Sequence, residues 1–285
     1  MSKTYFITGT SSGFGRALAE AVLERGDQAV LTARKPASID DLTRLYPSTS
    51  LAVPLDVTDA EQRQSALTAA LERFGRVDVL VNNAGQGSLG AAEEFSSEQL
   101  RSQMEINFFG AVELTRAFLP HLRAQKSGHI LQITSIGGLA AVGGFSLYCA
   151  AKFALEGFSE ALRDELAPLG VRVTIVEPGA FRTEFAGDAN MRPQQTIADY
   201  APVVEPIRKY LYGSAGQQPG DPRKAALAMI QAFESDSPPL RLMLGADAFG
   251  LWEKKRASME EEFAQWRAVG EGTAFEGVEV TPVGG

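Results

Sequence analysis

Tyr5-Phe6-Ile7-Thr8-Gly9-Thr10-Ser11-Ser12-Gly13-Phe14-Gly15 runs from an apolar, β-forming stretch straight into three glycines at G-x3-G-x-G spacing. Residues 16–25 follow with Leu18, Val22 and Leu23 at helical spacing. Strand, glycine turn and helix in that order make the opening βα unit of a nucleotide-binding fold. The glycines let the backbone turn tightly and approach a pyrophosphate. The helix N-terminus adds free N–H groups and partial positive charge. Three glycines by themselves are a weak signal that a plain turn also explains; their place between strand and helix gives them the phosphate-binding reading.

The same alternation continues outward from that unit. Short apolar runs at 29–32, 51–55, 77–81, 129–134, 171–176 and 240–244 read as strands. Stretches at 60–74, 99–123, 147–166, 222–233 and 247–269 carry helical spacing. β-branched strands separated by helices mean βαβ units, a parallel sheet and helices on both faces. The 285 residues suit one large α/β domain, spanning 1–285, with a C-terminal helix at 247–269 and a loosely held tail at 270–285. Residues 185–222 are richer in Pro, Gln, Tyr and Gly and weaker in periodicity. This segment is expected to form an irregular substrate lid, and a surface insertion is its plain alternative.

Composition excludes several classes. A net charge of -8 with no clustered basic face speaks against a nucleic-acid backbone binder. No stretch approaches the 18 or so apolar residues a membrane helix needs. The N-terminus shows no secretory pattern, and a single cysteine, Cys149, precludes an intrachain disulfide. A reducing, cytoplasmic location is the expectation. His121 and His129 are the only histidines. No metal cluster is evident, and both read as structural. Cys149 adjoins Tyr148 but points about 100° away on a helix, and reads as packing.

Further motifs follow the glycine turn in order. Asn82-Asn83-Ala84-Gly85 follows the fourth strand, and Asn107 lies in the long helix. Ser135 ends the fifth strand, Tyr148 and Lys152 form a Tyr-x-x-x-Lys pair, and Pro178-Gly179 ends the sixth strand. Over residues 4–183 the chain resembles the classical short-chain dehydrogenase/reductase family. The run from Pro178 to Thr183 and the C-terminal helix resemble the branch near steroid and retinol dehydrogenases and bacterial carbonyl reductases. The resemblance implies a Rossmann-type, doubly wound, seven-stranded parallel sheet in 3-2-1-4-5-6-7 order, with helices on both faces. It also implies an oxidoreductase moving a hydride between a nicotinamide and a carbonyl or alcohol.

Tyr148 and Lys152 lie four apart on a predicted helix, so both project from one face. An ammonium ~4.5 Å from the phenol, at an effective dielectric of ~20, gives roughly 3.7 kcal/mol in favour of the phenolate. That would bring a group that ordinarily titrates near about 10 toward general acid/base use. The resemblance gives Ser135 the substrate oxygen, Lys152 the nicotinamide ribose, and Asn107 a water linking Lys152 to solvent. Strand-end cap and buried helix polar group are the plain readings of Ser135 and Asn107. The cofactor set it implies is Gly9, Ser11, Ser12, Gly13, Phe14, Gly15, Arg34, Asp56, Val57, Asn83, Ala84, Gly85, Tyr148, Lys152, Pro178, Gly179 and Thr183.

The second strand ends Thr32-Ala33-Arg34. Ala33 stands where an acid would bind the ribose hydroxyls of NAD, and Arg34 can bond a 2′-phosphate, so NADP(H) is expected. Leu139, Val142, Phe145, Phe181 and Phe185 flank the site by analogy and suit a hydrophobic ketone or secondary alcohol. The helices containing Asn107 and Tyr148 resemble the pair through which family members associate, implying a homodimer or homotetramer. Two alternatives stay open: a regulator that senses NADP without turnover, and a nucleotide-sugar epimerase or dehydratase.

Overall fold

Alternation along one central strand organises the molecule. Tyr5 and Ile7 of β1 (Thr4–Ile7) pack with Leu18, Val22, Met229 and Ile230. Phe6 points the other way, to Leu67, Leu114, Phe118 and Leu162, and its ring meets Phe118 edge-to-face at 4.8 Å. All four residues of β1 are buried, as a strand covered on both faces must be. Burying each such apolar side chain contributes about 1.5–3 kcal/mol. The computed structural model describes residues 2–187, 190–213 and 215–278. The parts of the lid and tail expectations at 188, 189, 214 and 279–285 lie outside the described residues.

The other strands are β2 (Gln28–Ala33), β3 (Ser50–Pro54), β4 (Val79–Asn82), β5 (Gly128–Ile133), β6 (Val171–Pro178) and β7 (Arg241–Leu244). They form one seven-stranded sheet in the order β3-β2-β1-β4-β5-β6-β7, every pairing parallel. The expected topology is borne out. Helices α1 (Gly13–Glu24) and α8 (Pro222–Glu234) cover one face. On the other lie α3 (Ala60–Phe74), α5 (Gly110–Gln125) and α6 (Ser146–Leu166). Asp59 starts α3 by accepting from the Glu61 and Gln62 amides at 2.9 and 3.0 Å, and Gly75 ends it in a left-handed conformation. α2 (Asp40–Leu45) is a short helix between β2 and β3. No described helix is long and apolar enough to cross a membrane.

Three elements differ from the sequence expectation. α1 starts at Gly13, not residue 16, so Gly13 and Gly15 already belong to its first turn. The helix expected over 99–123 is two helices, α4 (Ser97–Met104) and α5, joined by a π-helical turn at Glu105–Phe109. A π turn carries one extra residue and so shifts the side chains that follow, and Asn107 sits inside this one. The segment 185–222 is not irregular throughout: α7 (Ala201–Gly213) occupies its middle. Last comes α9 (Ala246–Glu271), whose distal half is solvent-exposed, as is the tail that follows at 272–278.

Candidate active site

The C-terminal ends of the strands open onto a cleft of about 1170 Å³, where an open parallel sheet places its ligands. The glycine turn forms one end. Gly9 and Gly13 have φ of +69° and +57°, a region where a side chain is strained. Gly15 is required by contact: a Cβ there would lie 2.3 Å from Gly9 O and 2.4 Å from Asn83 Nδ2. Ser12 makes no side-chain cap bond and the first turn of α1 has no acid. The amides and positive end of the helix therefore face the cleft without internal compensation, which fits a pyrophosphate.

Threonines and an asparagine brace this turn. Thr8 Oγ1 accepts from the Asn83 and Ala84 amides, both at 2.8 Å. Asn83 Nδ2 donates to Thr8 O at 2.8 Å and Gly9 O at 3.1 Å, so this side chain holds the turn in place. The Thr10 amide donates to Thr32 O at 2.9 Å. At the end of β2, Ala33 is buried and Arg34 is an exposed residue lining the cleft. Arg16, by contrast, is ion-paired to Glu20 and Asp41. Asp56 accepts from the Thr58 amide and hydroxyl at 3.0 and 2.7 Å, and Val57 is buried beside it. These residues fit an adenosine phosphate with one free guanidinium at its edge.

The other end holds the proton-handling groups. Ser135, at the end of β5, accepts from the Gly137 amide at 3.0 Å, so its strand-end cap role is real. α6 presents Tyr148 and Lys152 from one face, with Lys152 Nζ 5.9 Å from the Tyr148 ring centre. Nζ donates to Ile133 O at 2.8 Å. Burial pushes the Tyr148 phenol up to about 12, with the Ser135 hydroxyl pulling it down and Cys149 adding to the rise. Burial also pushes Lys152 down to about 8, against the Glu156 carboxylate. The expected Coulomb help from Lys152 is not among the influences on the phenol, and desolvation dominates both groups. Protonated phenol is the stable form at neutral pH.

Of the residues expected from sequence, the cleft is lined by Ser135, Tyr148, Lys152 and the whole cofactor set except Gly15. Asn107 is buried behind it. Its Oδ1 accepts from the Gln86 amide and its Nδ2 donates to Gln86 O, both at 2.7 Å. A Cβ on Gly85 would stand 3.2 Å from Asn107 Oδ1 and 3.6 Å from Lys152 Nζ, so the asparagine and lysine flank one glycine. Thr183 caps the short turn that carries Phe185. His129 is buried and pushed down to about 4 by that burial, its Nε2 2.9 Å from Thr174 Oγ1. Cys149 is buried with its thiol pushed up by burial.

Phe14 and Phe181, both expected at the site, meet edge-to-face at 5.1 Å. Other contributors were not legible in the sequence. Asp247, in the first turn of α9, accepts from the Ala180 amide at 2.6 Å and so holds the loop after Pro178-Gly179. Nothing local marks it, since its partner is 67 residues away. Ile207, Tyr210 and Leu211 of α7 add to the apolar wall, hidden from sequence because the helix itself was.

A family model for short chain dehydrogenases matches residues 3–194. The chain is a short-chain dehydrogenase/reductase. This dehydrogenase is 39% identical to "Oxidoreductase BOA17" of Botryotinia fuckeliana, over 94% of the chain and 97% of that protein. It is 34% identical to "Retinol dehydrogenase 8" of Homo sapiens, over 84% and 80% respectively, a relative from the branch expected. The crystal structure of a short-chain dehydrogenase from Streptomyces avermitilis superposes with TM-score 0.90 at 44% identity, covering 96% of this chain and 100% of that one. A Burkholderia cenocepacia short chain dehydrogenase in complex with NADP superposes with TM-score 0.71 at 27% identity, over 93% and 97%. The dehydrogenase is an oxidoreductase of the nicotinamide-using class.

Proposed function

We propose that the protein is an NADP(H)-dependent carbonyl reductase or alcohol dehydrogenase acting on a hydrophobic ketone or secondary alcohol. The observation that carries this reading is that Ser135, Tyr148 and Lys152 line the same cleft as the glycine turn and Arg34. When bound, the nicotinamide supplies the hydride and, once oxidised, a positive charge that favours the phenolate. Everything else is work for the chain. Ser135 donates a hydrogen bond to the substrate oxygen and keeps it beside the phenol. Tyr148, protonated at neutral pH, gives its proton to that oxygen in reduction and takes it back in oxidation. Lys152 orients the ribose hydroxyls, and Asn107 fixes the Gly85-Gln86 turn against Lys152. Val142, Phe145, Phe185, Ile207 and Leu211 form the apolar wall. Arg34 favours the 2′-phosphate.

Two features of assembly belong to the same proposal. The segment 185–222 acts as the lid, and α5 with α6 forms a closed two-fold contact, giving a homodimer or homotetramer. A mass near 30.5 kDa by light scattering at micromolar concentration would contradict the second.

Consumption of NADPH with a panel of aliphatic and aromatic ketones tests the function. Tyr148→Phe keeps the ring and its packing, and should lower turnover at least ~100-fold with cofactor affinity nearly intact. Lys152→Ala should lower turnover and weaken cofactor binding together. A Tyr148→Phe protein that keeps most of its activity on a confirmed substrate refutes the assignment.

A further inference from the structure

A charged network behind Lys152 takes no part in the reading above. Tyr148, Lys152, Glu156 and Glu160 follow one another at four-residue steps along α6, descending a single face. Behind Lys152, the guanidinium of Arg241 in the edge strand β7 gathers three carboxylates. Nη1 donates to Glu156 at 2.5 Å and to Glu177 at the end of β6, and Nη2 to Glu160. The side chains of Glu156 and Glu177 are 5% and 0% exposed, against 53% for Glu160. Because one nitrogen serves both buried carboxylates, their contacting oxygens lie within roughly 6 Å, two hydrogen-bond lengths end to end.

The second oxygen of each buried carboxylate, Glu156 Oε1 and Glu177 Oε2, is buried without a hydrogen-bond partner. The Thr134 hydroxyl stands beside Glu156, but its proton goes to Val176 O at 2.9 Å. An ionised carboxylate buried with a bare oxygen is costly, and two that face each other cannot both ionise cheaply. Fully ionised, the three glutamates outnumber Arg241 and Lys152 by one charge. A single proton on the buried pair makes the network neutral.

We infer that Glu156 and Glu177 hold one proton between them at neutral pH and act as positioning residues that set the charge of Lys152. The groups facing Lys152 and this pair are Tyr148 and Glu160 on α6, Glu177 on β6 and Arg241 on β7. Asn107 in the π turn, Thr134 and the Ile133 carbonyl are neutral. Burial disfavours the Lys152 ammonium and the Glu156 carboxylate favours it. Burial, and then the Glu156 charge, push Glu177 up to about 7. As pH rises the pair loses its proton, negative charge grows beside Lys152, and the ammonium persists to higher pH. Arg241 as a mere staple between β7 and α6 predicts none of this.

The two isosteric variants have opposite signs. Glu156→Gln removes the nearer charge and should release the Lys152 proton about tenfold more readily, moving its midpoint down by about one pH unit. Glu177→Gln leaves the whole charge on Glu156 and should not lower that midpoint. Competitive acetic anhydride labelling of the full chain from pH 6 to 10, read by mass spectrometry against exposed Lys254, reports the midpoint without turnover. Infrared spectra of the unaltered protein at pH 7 should show a protonated carboxyl that Glu177→Gln abolishes. A midpoint unchanged in Glu156→Gln, a fall of the same size in both variants, or no protonated carboxyl at pH 7 overturns the inference. The infrared result decides it if Glu156→Gln does not fold. The claim goes beyond the proposed function and rests on it only for activity. If the labelling midpoint moves while the pH profile of ketone reduction does not, the network stands and the role of Lys152 in turnover falls.

Discussion

The two walls of the cleft are built by different means. The cofactor wall, at residues 8–15, 32–34 and 83–85, is held by backbone amides, buried threonine hydroxyls and contacts with no room for a methyl group. The substrate wall, at 181–187 and α7, is held by side chains: Phe185 against Tyr148 at 5.2 Å, Val203 and Ile207 near Gly143 and Gly144. Recognition of a fixed pyrophosphate needs donors at fixed positions, which only backbone supplies without rotamer freedom. A hydrophobic substrate needs shape, and several side chains can supply the same shape.

The substrate wall itself divides. Residues 190–200 are fastened to the body. The Met191 amide donates to Gly87 O at 2.8 Å, the Ile197 amide to Glu94 Oε1 at 2.8 Å, and the Tyr200 hydroxyl to Glu93 at 2.6 Å. Only one residue of α7 is buried, Val204. Within the lid proposed at 185–222, the swing is assigned to α7, with 190–200 as its strap.

The strongest test of the contrast is Gly15→Ala. With a Cβ at 2.3 Å from Gly9 O, overpacking of about 1–3 kcal/mol falls on the turn itself, and NADPH affinity by fluorescence titration should drop about 100-fold. Affinity within threefold of the parent would mean the cofactor wall is as adaptable as the other. Next in size is Arg34→Ala. NADP(H) should bind at least ~10-fold more weakly, about 1.4 kcal/mol, with NAD(H) nearly unchanged; equal losses for both would remove the selectivity assigned to Arg34. Smaller still, Leu211→Ala should change KM for bulky ketones severalfold and leave NADPH affinity alone, because the proposed function gives α7 contact with the substrate alone. A matching loss of cofactor affinity would join the two walls. The least disruptive test is hydrogen exchange: amides of α7 should exchange faster than those at 190–200, and slow on adding cofactor with a ketone. Uniformly strong protection across 190–213 rules out the swing.

Legibility from sequence follows the same divide. The glycine turn, the strands and the Tyr148–Lys152 pair are local patterns; they specify a parallel α/β sheet, while the strand order and most of the cleft lining came through the family resemblance those patterns carry. The π turn leaves no mark, since a slip from i−4 to i−5 hydrogen bonding around Asn107 hardly alters apolar spacing. α7 was masked by the Pro, Gln, Tyr and Gly richness of 185–222 and its weak periodicity, although Pro202 simply occupies the helix's opening turn. Starting α1 at residue 16 discounted glycines as helix residues, yet Gly13 and Gly15 lie in its N-terminal turn. Arg241 meets Glu156 across 85 residues of chain, and Asp247 meets Ala180 across 67. Pairings of that kind exist only once the sheet is assembled.

The contact between Gly15 and Asn83 also limits how this molecule can be altered. The turn is a fixed fitting: Asn83 is bonded to both neighbouring carbonyls, and residue 15 has no spare volume. Library selection for the other nicotinamide should therefore accumulate changes at 33–35, on the rim, and leave 9–15 untouched. Retuning for a new ketone has the opposite freedom, with α7 open to many simultaneous exchanges. If the proposed assignment of the two walls holds, cofactor choice and substrate choice should be separately adjustable traits, on opposite walls of one cleft.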